Sequence, residues 1–211
     1  AQMIAPKLAG FGAGFALRDD KLIAQRIGQA FGEQQLENLP IPLRVAATDA
    51  ASGEPVVLKS GSVTQALRAS MALPFLFPSV KVGGRHLVDG VISDPLPIAA
   101  AADAHAVIAL GFHGGLPRRV DRISRLVART STSLINNLLH ARLAAARASG
   151  RHLLNLELEF DRPVGLWETK AMPYLFQAGR RAAEERLPQI LALLDRAPQR
   201  SAIAGAVAIR A

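Results

Sequence analysis

Cysteine is absent from the 211 residues. That removes disulfides, thiolate metal sites and a cysteine nucleophile, while leaving the redox compartment open. Aromatic residues are scarce, with one Trp, one Tyr and eight Phe. The core therefore has to be aliphatic, built from Leu, Ile, Val and Ala. No run reaches the ~18 apolar residues of a membrane-spanning helix. The N-terminus has no charged segment leading into an apolar one, as a secretory signal would. The histidines, His86, His105, His113, His140 and His152, lack metal-ligand spacing, so neither a metal nor another cofactor is expected. Acids are almost missing from one long segment. Between Phe112 and His152 stand Arg118, Arg119, Arg122, Arg125, Arg129, Arg142, Arg147 and Arg151 against the single acid Asp121. Such a run suits an anionic surface, or is simply a solvated helix face. With no aromatic platforms for bases in it, nucleic acid is not an expected partner.

What is present is ordinary globular material: half the residues are hydrophobic, a fifth are charged, and the net charge is +8. The length fits one domain, residues 1–197, followed by an Ala-rich tail, 198–211. Gly10-Phe-Gly12-Ala-Gly14 reads as a loop, because no strand precedes it as a phosphate-binding loop requires. Asp19 and Asp20 offer N-caps for a helix to about Phe31, with Ile23, Ile27 and Phe31 on one face. Leu43–Thr48 and Glu54–Leu58 read as strands joined by an Asp49–Gly53 turn. Ser62 and Gln65 form a capping box that starts a helix near Val63 and carries it to about Ala72. A short alanine-rich helix should run from Pro95 to Ala104. Ala106–Leu110 has the continuous apolar pattern of a strand buried on both faces. A helix over 119–149, a strand over Leu153–Phe160 and a helical finish from Tyr174 to Leu194, interrupted at Pro188, complete the order. Strands alternating with helices predict an α/β domain with a largely parallel sheet and at least one hairpin.

The hairpin spans Val80-Lys-Val82 and Arg85–Val88 around Gly83-Gly84, a two-residue connection that needs positive φ. Its second strand delivers Asp89-Gly90. Asp-Gly after a strand is equally a turn dipeptide, and spacing alone favours the turn. Asp49, ending the preceding strand, is a second carboxylate, and capping its own turn is its simpler role. His86 lies an odd number of residues from Asp89, so on a strand the two point to opposite faces.

The landmarks occur in a specific order: Ile41-Pro-Leu-Arg-Val-Ala-Ala-Thr-Asp49, Ser52-Gly53-Glu54-Pro-Val-Val-Leu58, Ala66-Leu67-Arg68-Ala69-Ser70-Met-Ala-Leu-Pro74, Phe77-Pro78, Leu87-Val88-Asp89-Gly90 and Pro95-Leu-Pro97. Together they resemble the bacterial patatin-like phospholipases, over roughly residues 20–195 and most strongly from Ile41 to Leu110. The resemblance implies a three-layer α/β/α fold and lipid acyl hydrolysis by a serine–aspartate dyad. The dyad aspartate falls on Asp89, within the family's Asp-Gly-Gly or Asp-Gly-Ala motif. Gly90 matches that motif, and Val91 occupies its third place. Arg68 and Ser70, in the family's Arg-Ala-Ser segment, are expected to shape the helix and its junction with the aspartate hairpin.

The family's nucleophile sits in Gly-X-Ser-X-Gly after a glycine-rich oxyanion loop. No serine here has glycine at both −2 and +2, and Ser70 would sit late in a helix without an elbow. A serine needs a base to accept its proton, and the developing oxyanion needs donors. Asp89 supplies the base alone. The resemblance therefore implies that the serine lies upstream of these residues, which begin with Ala1 rather than Met, and that this polypeptide by itself is inert. The expected partners are a phospholipid or other acyl ester, an anionic membrane surface and the serine-bearing segment. The expected location is cytoplasmic or peripheral to a membrane. The rival readings are a non-catalytic relative that binds acyl chains or partners, and a basic peripheral-membrane module.

Overall fold

The computed structural model describes residues 20–112, 115, 121–158, 160–162, 164 and 168–195, without the side chains of Phe112 and Ser124. The glycine patch at 10–14, Asp19, His113, Arg118, Arg119 and the tail 198–211 lie outside the described residues.

The chain begins with α1 (Lys21–Phe31), preceded by Asp20 at the N-cap. The expected cap is not made. Asp20 has φ −95° and ψ 6° rather than extended geometry, so its carboxylate is not aimed back at the first turn. It accepts instead from Arg68 Nε and Nη2, at 3.0 and 2.7 Å. Strand β1 (Val45–Asp49) and strand β2 (Pro55–Leu58) pair antiparallel from Val45↔Leu58 to Thr48↔Pro55. Helix α2 (Val63–Ser70) starts as its sequence dictates, with Ser62 Oγ accepting the Gln65 N–H at 3.3 Å. It buries Val63, Ala66 and Ala69, a narrow small-residue face that lets the helix sit close on the sheet.

Strands β3 (Val80–Val82) and β4 (Arg85–Asp89) form the expected hairpin, with Val82 opposite Arg85 and positive φ at Gly83 and Gly84. β4 also pairs with β1, giving a four-stranded antiparallel sheet in the order β2-β1-β4-β3. Its core is Ala47, Ala69, Ala72, Val80 and Leu87, with a second cluster of Leu36, Val45, Val63 and Ala66 beside it.

The second half is built around β5 (Ala106–Phe112), the long α3 (Ile123–Ala148) and β6 (His152–Leu158). β5 and β6 run parallel, in register from Ala106↔His152 to Phe112↔Leu158. Leu96, Ile98, Ala109, Leu139 and Leu143 form the core between this pair and α3. Helices α4 (Met172–Glu185) and α5 (Leu187–Asp195) follow. They break at Arg186, because Pro188 has no N–H and its ring would meet the Glu184 carbonyl in one continuous helix.

The α/β class holds, and the parallel pairing expected from the alternation is a small sheet, β5–β6. The other four described strands are antiparallel, since a Gly-Gly link and a short turn join only antiparallel neighbours, whereas β5 and β6 have a helical crossover between them. Between Pro95 and Ala104 the expected helix is a 3-10 segment, Ile98–Ala101. Two prolines remove N–H donors there, and the run is too short to nucleate an α-helix. Arg44, just before β1, bonds the Ala100 carbonyl and pairs with Asp103, fastening the two halves together.

Candidate active-site carboxylate

Strand alternation puts Asp89 on the same face of β4 as Leu87, which is 1% exposed against α2. The strand thus turns this carboxylate toward the interior, and leaves His86 on the other face, exposed and 3.2 Å from Ser79 Oγ. Opposite Asp89 on β1 is Ala47, whose methyl leaves room for it. Gly90 follows because β1 passes directly over it. A Cβ at Gly90 would lie 2.8 Å from the Ala46 carbonyl oxygen and 2.9 Å from its carbon. The backbone of Asp89 is held at both ends: its N–H donates to the Ala72 carbonyl at 3.0 Å, and its carbonyl accepts from Thr48 Oγ1 at 2.8 Å.

The carboxylate itself is lightly held. Oδ1 accepts one bond, from the Val91 N–H at 2.9 Å. Val91 contributes only that backbone donor, which any residue but proline supplies. No cation pairs with Asp89 among the described residues. Burial pushes its pKa above the usual carboxylate value, with the Val91 N–H pulling partly back. A carboxylate short of solvent and without a counter-charge is a stronger base than an exposed one.

The turn after Asp89 is anchored by groups that the motif reading did not single out. Thr48 is 2% exposed, and its hydroxyl lies 2.7 Å from Ser93 Oγ. Arg142, from α3, donates through Nη2 to the Ser93 carbonyl at 3.0 Å. Its Nε lies 3.5 Å from Asp94 Oδ1, and these two buried atoms have no other partner. Burial raises the Asp94 pKa, while the Arg142 charge and the Leu96 N–H oppose that rise. A sequence signal existed. Arg142 lies three residues after Leu139 and four before Ala146, so it falls on the buried stripe of α3.

The other expected site residues are placed elsewhere. Asp49 serves its own turn, with Oδ1 accepting from the Ala51 N–H at 2.9 Å and the Ser52 N–H at 3.2 Å. Those donors hold its pKa below the usual value. Because β1 and β4 are antiparallel, their carboxyl ends point in opposite directions, and Asp49 pairs across from Leu87 rather than Asp89. Arg68 ties α2 to Asp20 at the start of α1, not to the hairpin. The junction with the hairpin is made instead by the backbone of Ala72 and by the alanines of α2. Ser70 ends α2, half-buried, and its hydroxyl has no partner among the described residues. His105, His140 and His152 are exposed, and no group of three metal-ligating side chains occurs among the described residues. A cavity of about 310 Å³ between β6 and α4 is lined by Leu156, Glu157, Asp161, Ala178 and Arg181 among others, none from the hairpin.

Comparison with known proteins bears on the same region. Residues 3–102 match the family model described as patatin-like phospholipase. An uncharacterized NTE family protein of Mycobacterium tuberculosis is 38% identical over 100 residues, 46% of this chain and 28% of the relative. A second such protein of that organism is 31% identical over 179 residues, 74% of this chain and 30% of the relative. Mycobacterium bovis has a protein of the same description, also 38% identical over 100 residues. The chain therefore spans less than a third of the length of these relatives.

Proposed function

Taking residues 3–102 as patatin-like phospholipase sequence, we propose that this chain carries the aspartate half of a lipid acyl hydrolase. Asp89 is the general base of a serine–aspartate dyad, and its serine belongs to polypeptide outside these residues. The observation that carries this reading is the Asp89 carboxylate: fixed at its backbone, half-desolvated, with no cation partner among the described residues and accepting one N–H bond. In the reaction, the serine hydroxyl oxygen attacks the ester carbonyl carbon and its proton passes to Asp89. The ester C–O bond then breaks, and the leaving alcohol takes that proton. Water, activated by the same carboxylate, releases the acid from the acyl-serine. Donors for the oxyanion come with the serine segment.

Two further features support the reading. β5 pairs only with β6 among the described residues, so the backbone N–H and C=O groups along its other edge meet no strand there. An edge of this kind calls for another strand, and a serine-bearing strand is the occupant proposed. The loops flanking Asp89 expose Met71, Phe75 and Ile92, which suits an acyl ester of a phospholipid or a simpler lipid. No helix among the described residues is long and apolar enough to cross a membrane, and an anionic bilayer surface is the proposed setting.

The test is p-nitrophenyl ester turnover by the full polypeptide. Asp89→Asn should lower the rate by about 10²–10⁴-fold, the usual range for a positioned base, and these 211 residues alone should be inert. Wild-type turnover by Asp89→Asn removes the dyad. An inert full polypeptide leaves a lipid-binding relative in its place.

A further inference from the structure

The apolar positions of α3 divide into a packed set and an exposed set. Leu139, Leu143 and Ala146 form the one that packs on β5. Ile123, Leu126, Val127 and Leu134, at i, i+3, i+4 and i+11, form the other, and they are 82%, 53%, 50% and 64% exposed. At 3.6 residues per turn Leu134 and Leu139 are about 140° apart around the axis, with the half-buried Leu138 and Ile135 between them, so the exposed set is the outer margin of one broad apolar face. Residues 125–131 are exposed throughout, which leaves the N-terminal turns of α3 projecting from the body. Arg122, Arg125 and Arg129 lie on these turns. The acid among them, Asp121, is held by Arg125 as an i,i+4 pair.

We propose that the N-terminal half of α3 docks in the interface of an anionic lipid bilayer, its leucine–isoleucine–valine stripe among the acyl chains and its arginines on the headgroup phosphates. Long arginine stems reach the headgroups while the stripe lies deeper. The charge selects this occupant. A second copy would bring Arg122, Arg125 and Arg129 against their own copies, and like charges across an interface are repelled. Nucleic acid would gain from the arginines but not from a bare aliphatic stripe without aromatic rings. The strand proposed for the β5 edge needs a sheet edge rather than a helix face. The placement also matters to the site. Arg142, farther along α3, is bonded to Ser93 in the turn after Asp89. Leu134 is roughly 12 Å and Ile123 roughly 28 Å along the helix from that tether, at 1.5 Å per residue. Docking through α3 would thus hold the Asp89 region within a helix length of the bilayer.

The experiment is co-sedimentation of the full polypeptide with phosphatidylcholine vesicles, with and without phosphatidylglycerol. The expected result is binding to the anionic vesicles, weakened by salt and much weaker on phosphatidylcholine alone. Leu126→Asp with Leu134→Asp, and separately Arg122→Gln with Arg129→Gln, should each lower vesicle affinity about tenfold or more. Unchanged thermal melting of both variants verifies their folding. Asp89→Asn should bind vesicles as the wild type does, so failure of the dyad and failure of the docking surface give different results. Equal binding to neutral vesicles overturns the inference, as does no binding at all or binding that the stripe variants leave unchanged. A dimer abolished by Leu126→Asp also overturns it, since the stripe would then be an interface between copies.

Discussion

The two sheets of this molecule differ in how completely they are finished. In the β2-β1-β4-β3 sheet, Ala47, Ala69, Ala72 and Leu87 are at most 2% exposed, and α2 covers the face that carries Asp89. In the β5–β6 pair, one face is packed on α3 through Ala109 while Ile108 and Leu110 of the same strand remain open. The difference teaches where the chain is self-sufficient. Short turns let antiparallel strands find their partners within one stretch of sequence. Parallel strands depend on distant segments, and among the described residues β5 pairs with β6 alone.

The contrast is broken most directly by truncating one leucine in each region. Leu87→Ala should cost about 2–5 kcal/mol, as deletion of a fully buried side chain does. Leu110→Ala, with 60% of the residue exposed, should stay within about 0.5 kcal/mol. Denaturant melts of the 211-residue chain that show equal losses would mean that β5 is covered. In a polypeptide that supplies the strand proposed for the β5 edge, the Leu110→Ala loss should grow.

Gly90→Ala tests how tightly β1 lies over the aspartate turn. The added methyl would meet the Ala46 carbonyl, which is backbone and cannot rotate away. A loss of about 1–3 kcal/mol is expected, as for other overpacked sites, and a neutral result would show that β1 shifts freely. Arg142→Met comes next. It strips Asp94 of its only ion-pair partner among the described residues. Removing one member of a fully buried pair costs about 3–5 kcal/mol. With the Arg142 side chain 42% exposed, solvent screening reduces this to about 1–2 kcal/mol. Asp94→Asn in the same background should recover most of the loss, and failure to do so would mean that Arg142 acts only through the Ser93 carbonyl.

The smallest effects are pH effects of opposite sign. The pKa of Asp89 is raised in the folded state, so the folded chain holds its proton over a window where the unfolded chain has lost it. Stability falls as pH rises through that window and the penalty stays constant above it. Asp89→Asn should therefore melt at a higher temperature than wild type at pH 7, with the gain disappearing in acid below the ordinary aspartate pKa. Its absence at pH 7 would contradict the desolvation of Asp89. Asp103 behaves oppositely. Arg44 lowers its pKa to about 2, so its contribution is present above the ordinary value near 3.8 and is lost as pH falls toward 2. Arg44→Gln should flatten that acid limb of the melting curve.

Much of the hairpin half was legible because its signals are local. Gly83-Gly84 dictates a tight link, Ser62 caps its helix three residues on, and Pro188 bars one continuous helix through its position. The motif around Asp89 was legible in the same way, as was its neighbour Gly90. Other expectations failed for a shared reason. Asp20 has the right residue type for a cap, yet its carboxylate went to Arg68, a partner 48 positions away. Arg68 was consequently withdrawn from the junction beside Asp89. The anchoring of the turn by Thr48, Ser93, Asp94 and Arg142 joins three separate stretches of chain, and only Arg142's place on the stripe of α3 hinted at it.

The amino-acid order by itself determined the elements, the hairpin and the presence of a carboxylate at a strand end, because turns, caps and alternation act over a few residues. Tertiary structure alone decided that β1 crosses Gly90, that Asp89 lies half out of water with no cation paired to it among the described residues, and that Arg142 reaches the turn behind it. Those are contacts between segments that meet only in the folded chain, and the basicity of the carboxylate depends on its surroundings rather than on its neighbours in sequence.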